Sequence, residues 1–120
     1  MSPARYLLKQ PKQIDREMID MQRLIEFTTD DSGAKEVESA VRAAFSTLTE
    51  EHPDFVRLAY WRLQDTNKFV ALIELEDEKN NPLLNLDTTA VLPKVIGSHV
   101  EGGYPIPQVI ELIGSYGFDL

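Results

Sequence analysis

Changes in the spacing of apolar residues along this chain mark out its elements. From Met21 to Thr29, MQRLIEFTT is rich in residues that suit a pleated, partly buried surface, and the polar Asp30, Asp31, Ser32, Gly33 cluster ends it, which predicts a strand. From Gly33 the period turns helical: Val37, Ala40, Val41, Ala44, Phe45 and Leu48 fall on one apolar stripe. Asp31 or Ser32 is placed to accept the free amide hydrogens of the first turn, and Glu36 and Glu38 lie near the positive end of this helix. Pro53 stops it, because the residue before a proline avoids the helical region.

Phe55–Leu63 and Phe69–Glu76 then read as two strands joined by the polar residues 64–68, a connection short enough for an antiparallel hairpin. In the second of them Phe69, Ala71, Ile73 and Leu75 are all apolar, so one face meets helices; the even positions begin with Val70 and Leu72 and end with Glu74 and Glu76. Asn81-Pro82 resembles a cap followed by proline at the first helical position. A second start at Asp87 leads into Val91, Leu92, Val95, Ile96 and His99 on one face, with Pro93 inside the pattern, which predicts a kinked or split helix. Gly102-Gly103 closes it, and Gln108–Ile113 reads as a last strand before GSYGF.

Strands and helices in the order β-α-β-β-α-β predict an α+β, ferredoxin-like fold, a four-stranded antiparallel sheet with both helices on one face. Four strands of about six residues leave an uncovered face of roughly 380 Å² in projection. It would carry Val70 and Leu72 with either the Val56, Leu58, Tyr60 set or the Phe55, Ala59, Trp61 set, and monomers seldom leave so apolar a sheet in water. A homodimer paired through this sheet face, closing a barrel-like core, is the expectation. Residues 1–20, with Pro3 and Pro11 and little apolar content, read as an arm outside the 21–120 domain, disordered or docked on a partner subunit.

Composition narrows the function. The net charge is -8, and because residues 1–20 hold four basic and three acidic side chains, the remainder carries -9. Binding to nucleic acid through its phosphates is therefore not expected. With no cysteine there is no disulfide framework, thiolate zinc site or cysteine nucleophile, which fits a reducing cytoplasm. Apolar runs are strand-sized, and the first residues hold only Tyr6-Leu7-Leu8 where a signal peptide needs a longer apolar region, so neither membrane insertion nor export is expected. The two histidines sit in separate elements and no cysteine exists, so no metal is expected; a phosphate-cradling glycine loop is likewise missing, and no cofactor is expected.

The alanine-rich first helix ending at His52-Pro53, the strand FVALIELED (69–77), NPLLNL (81–86) and the terminal IGSYGF (113–118) make residues 21–118 resemble the dimeric α+β barrel superfamily. Within it the chain is similar to small proteins of the antibiotic biosynthesis monooxygenase type. The resemblance implies oxidation of a small aromatic or quinol-type substrate by dioxygen without metal or flavin, or cleavage of haem. The chain departs from the pattern in two places: Leu75 stands where family members commonly carry a tryptophan, and MQRLIEF lacks the asparagine of the haem-cleaving branch, so haem cleavage is not expected.

Candidate site residues follow from the chemistry such a chamber needs. His99, one turn after Val95 and Ile96, can act as a base toward a phenol or serve as a capping or core-edge histidine. Tyr60 and Trp61 alternate across their strand, and whichever faces a cavity can stack on a planar ligand. Arg62 can hold a carboxylate or enolate with its planar fork, or be a strand-edge arginine or the partner of Glu74. Glu26 and Glu74 are a candidate proton-holding pair on the uncovered face. Phe45, Ile73 and Val95 are candidate apolar lining for a ligand. Three readings follow: a cofactor-independent oxygenase, a non-catalytic dimer that binds a small apolar ligand, or a dimer whose pocket its own side chains fill. An enclosed volume with an ionisable or donor group on its wall separates them.

Overall fold

The computed structural model of the chain describes residues 21–76, 79 and 81–118. The arm expected for residues 1–20 lies outside the described residues. The elements are β1 (Met21–Thr28), α1 (Asp31–Glu51), β2 (Val56–Arg62), β3 (Lys68–Leu75), a 3-10 turn (Pro82–Asn85), α2 (Asp87–His99) and β4 (Gln108–Val109).

Helix α1 begins where a carboxylate can hold its first free amides. The cap is Asp30, in extended backbone, whose Oδ1 accepts the Gly33 N–H at 2.6 Å. This corrects the expectation of Asp31 or Ser32, which both lie inside the first turn. At the far end His52 turns left-handed (φ 49°), its N–H donates to the Leu48 carbonyl, and Pro53 prevents another turn.

The sheet runs in the order β2-β3-β1-β4 with every pairing antiparallel, an α+β arrangement compatible with the ferredoxin-like expectation. Its register decides which side chains share a face. Phe27 stands opposite Phe69, which stands opposite Arg62; Ile25, Ala71 and Tyr60 form the next rung, and Arg23, Ile73 and Leu58 the one after. On this face Phe27 and Phe69 stack at 5.2 Å and pack with Val37 and Ala44 of α1 and Leu92 and Ile96 of α2. A second cluster gathers Ile73 and Leu75 beneath Leu83, with Leu48, Val56 and Leu58 against it. Both helices thus cover one face, and the other presents Leu24, Ala59, Trp61, Val70 and Leu72 among polar neighbours.

Two elements differ from the sequence expectation. Helix α2 is not split at Pro93. The proline removes one backbone donor, yet Leu92 and Ile96 on either side of it are buried in the same core, so packing outweighs the lost bond. The interruption falls earlier, at Leu86, which is extended between the 3-10 turn and α2. Strand β4 covers only Gln108–Val109 rather than 108–113: it pairs with Leu24 and Arg23 of β1, and beyond it the Ile110 N–H reaches the Gln22 carbonyl at 3.5 Å. Among the described residues no helix is long and apolar enough to cross a membrane.

Candidate functional site

At the β2 edge of the sheet, the even residues Leu58, Tyr60 and Arg62 point toward the helices while Ala59 and Trp61 point away. The α1 stripe crosses above them at Val41 and Phe45, with Glu38 and Arg42 on its flank. Between the two elements lies a groove of about 210 Å³ lined by Glu38, Val41, Arg42, Tyr60, Trp61, Arg62 and Phe69. It continues into a shallower depression of about 420 Å³ that shares Val41, Arg42, Tyr60 and Trp61 and adds Phe45, Leu58 and Ala59. Both parts are open to solvent.

Arg62 is held from three sides. Its Nε donates to the Thr66 carbonyl in the β2–β3 hairpin at 2.7 Å, its Nη1 lies 3.9 Å from Glu38 Oε2, and its guanidinium carbon sits 5.7 Å from the centre of the Phe69 ring. The other Glu38 oxygen faces Arg42 Nη2 at 3.5 Å. Two guanidinium groups thus share one carboxylate. Each pair is solvated and weak as a source of stability, but together they leave a local excess of one positive charge on an aromatic wall.

Tyr60 meets Phe45 edge to face, with ring centres 6.3 Å apart. Burial pushes its phenol pKa well above the ordinary tyrosine range, and the neighbouring Tyr104 phenol, itself raised by burial, adds to the shift. Tyr60 is therefore a protonated donor at neutral pH. The sequence left open which of Tyr60 and Trp61 faces the helices; it is Tyr60, while Trp61 is 53% exposed and borders the groove from outside.

The remaining candidates are dispersed. His99 sits at the seam between the end of α2 and the start of α1, its Nδ1 3.4 Å from Asp30 Oδ1 and its Cβ against Gly33, where any added side chain would overlap it. It borders neither part of the groove. Ile73 is buried in the second core cluster, and Val95 packs against the first. Of the proposed ligand-lining residues, Phe45 and Trp61 reach the groove.

Glu74 takes a different partner from the one the sequence suggested. Gln22, Glu74 and Arg57 form one rung across the face away from the helices, where Glu74 is buried, with Gln22 Nε2 donating to Glu74 Oε1 at 3.0 Å and Arg57 Nη1 3.7 Å from Oε2. Arg62 pairs instead with Glu38. Glu26 stands opposite Val70, four residues along β3 from Glu74 and so about 13 Å away; the two carboxylates do not meet. Among the described residues no three metal-ligating side chains converge.

Sequence reasoning missed Glu38 and Arg42. Their i, i+4 spacing beside Val41 marks an ion pair, but its link to Arg62 exists only through the packing of α1 over β2. No protein-family model matches the chain, and no curated protein matches its sequence.

Proposed function

We propose that the groove between α1 and β2 takes a small planar aromatic ligand bearing an anionic oxygen, a carboxylate or phenolate, in a chain that works as a homodimer. The observation that carries this reading is the convergence of Arg42 and Arg62 on the single carboxylate of Glu38, next to Tyr60, Trp61 and Phe69. In a chain of net charge -8 this is a place where an anion gains rather than loses electrostatic energy. A guanidinium offers the planar donor fork that carboxylates and phenolates fit, and the aromatic side chains supply flat contact area. Pairing through the face away from the helices is supported by the apolar Leu24, Ala59, Trp61, Val70 and Leu72 upon it, which no described helix covers.

The resemblance to antibiotic biosynthesis monooxygenases adds a second reading, in which the bound aromatic is oxidised by dioxygen without a cofactor. The protonated Tyr60 favours it, since a phenol can donate to the oxygen of a bound phenolate and hold the ligand as an electron-rich anion. Binding has the broader support, because His99, the base suggested by the sequence, lies at the Asp30 seam.

Trp61 is the sole tryptophan and borders the groove, so its fluorescence reports occupancy. Titration with aromatic carboxylates and phenols is expected to give a saturable change, with affinity about 10-fold or more weaker in Arg62→Ala, the loss expected of one charge-assisted hydrogen bond. Equal responses in the two proteins would overturn the reading. Oxygen uptake with a bound phenol, measured in the same preparation, separates turnover from binding.

A further inference from the structure

The two parts of the groove differ in character, and the difference runs along its length. On α1 the lining proceeds from Glu38 through Val41 and Arg42 to Phe45, seven residues and about 10 Å of helix. On β2 it proceeds from Arg62 through Tyr60 to Leu58, four residues and about 13 Å of strand. The two run side by side, since Glu38 faces Arg62 at one end and Phe45 meets Tyr60 further along. The side chains peculiar to the 210 Å³ end, Glu38, Arg62 and Phe69, are charged or aromatic, whereas those peculiar to the 420 Å³ depression, Phe45, Leu58 and Ala59, are all apolar. Arg42 borders both, but its guanidinium is held at Glu38, one turn back toward the charged end, which leaves its methylene stem beside the depression. The trough thus has one charged pole and one apolar pole.

We infer that the ligand is an elongated amphipathic anion: an aromatic carboxylate or phenolate whose ring carries, opposite the anionic oxygen, an alkyl tail of about four to six carbons lying along Phe45, Leu58 and Ala59. The inference rests on the reading of the groove as a site for an aromatic anion, and adds the tail. Length argues for it. A ring with its carboxylate is about 5 Å between end atoms at ordinary bond lengths, less than half of the lined strand. Volume points the same way, because the 210 Å³ end alone is smaller than the ~300 Å³ at which small-molecule sites usually begin, and the depression supplies the rest. So does chemistry. A hydroxyl or second charge at the far end would give up water for three apolar side chains that offer it no hydrogen bond, so polar substituents there are penalised and methylenes favoured. The depression is open on one side, so each methylene gains part of its full transfer energy, about a 2- to 4-fold rise in affinity per carbon.

Benzoate and its 4-ethyl, 4-butyl, 4-hexyl and 4-octyl derivatives are titrated into the full chain, read by calorimetry and by the fluorescence of Trp61, which borders both parts. Affinity is expected to climb about 2- to 4-fold per methylene as far as butyl or hexyl, and to level off at octyl, where the tail passes the end of the lined surface. Arg62→Ala should weaken every member about 10-fold and keep the slope. Phe45→Ala should flatten the slope, and the series in the unmodified chain carries the test if that variant does not fold. The uncharged 4-hexylbenzyl alcohol should bind about 10-fold more weakly than 4-hexylbenzoate. Saturable binding of benzoate with no gain along the series would overturn the amphipathic ligand and leave the aromatic-anion reading standing. Affinity that keeps rising through octyl, or equal binding of the alcohol, would mark unspecific apolar association and overturn it as well. Silence of both readouts for every member would overturn both readings.

Discussion

The two edges of the sheet are finished in opposite ways. At one, β2 pairs along its whole length with β3, the hairpin from Leu63 to Asn67 is tied by Arg62 and Thr66, and α1 lies over the inner side chains. At the other, β4 pairs for two residues and the chain beyond it carries bare isoleucine and aromatic side chains. Local propensity does not explain the difference, since QVIELI is as good a strand sequence as FVRLAYWRL. The sheet holds the last strand only at Gln108 and Val109, although Gln22 and Met21 of β1 continue beyond the Arg23–Val109 pair. A strand-forming segment with no sheet pairing among the described residues offers its backbone to another chain.

The comparison breaks most visibly under core truncation. Phe69→Ala removes a fully buried ring stacked on Phe27 and under Arg62, and should cost about 3–5 kcal/mol, read as a lowered denaturation midpoint. Gly33→Ala should cost about 1–3 kcal/mol, because the new methyl meets His99 where the two helix ends touch. Asp30→Ala removes the α1 cap and should cost about 1 kcal/mol, checked by thermal unfolding.

Tyr60 makes stability depend on pH at the alkaline end. Its folded pKa is raised above the unfolded value, so its contribution is fully present below about pH 10 and is lost as the pH climbs toward the folded pKa. While only the unfolded phenol ionises, the slope is up to about 1.4 kcal/mol per pH unit, and Tyr60→Phe should flatten it in midpoint-against-pH curves. The smallest effect belongs to the other edge. Ile113→Ser should change the unfolding free energy of the isolated subunit by less than about 0.5 kcal/mol, measured at a concentration low enough to keep the chain monomeric. A loss near that of Phe69→Ala would mean that the segment packs on its own subunit.

Much of the fold was legible because period and burial agree. The α1 stripe named Val37 and Ala44, and the odd positions of β3 named Phe69, Ala71, Ile73 and Leu75, all of them buried. Pro93 misled because a local breaking tendency was overruled by Leu92 and Ile96, buried on either side of it. The last strand was overextended because propensity favours all of QVIELI, whereas the sheet pairs it only at Gln108 and Val109. The site was legible only in part. Tyr60, Arg62, Trp61 and Phe45 do reach one groove, but which of Tyr60 and Trp61 faces the helices depends on β2 parity, and the shared Glu38 depends on how α1 crosses the strand. His99 lies on the helical face that the periodicity assigned to it, yet that face ends against Gly33 and Asp30 rather than in a cavity.

Chemical-shift mapping of the full chain during titration with 4-hydroxybenzoate tests the groove most directly. The account predicts the largest movements at the Arg62 Nε–H and at the amides of Val41, Arg42, Tyr60 and Trp61. Shifts centred on the Asp30–His99 seam, or none at millimolar ligand, would contradict it.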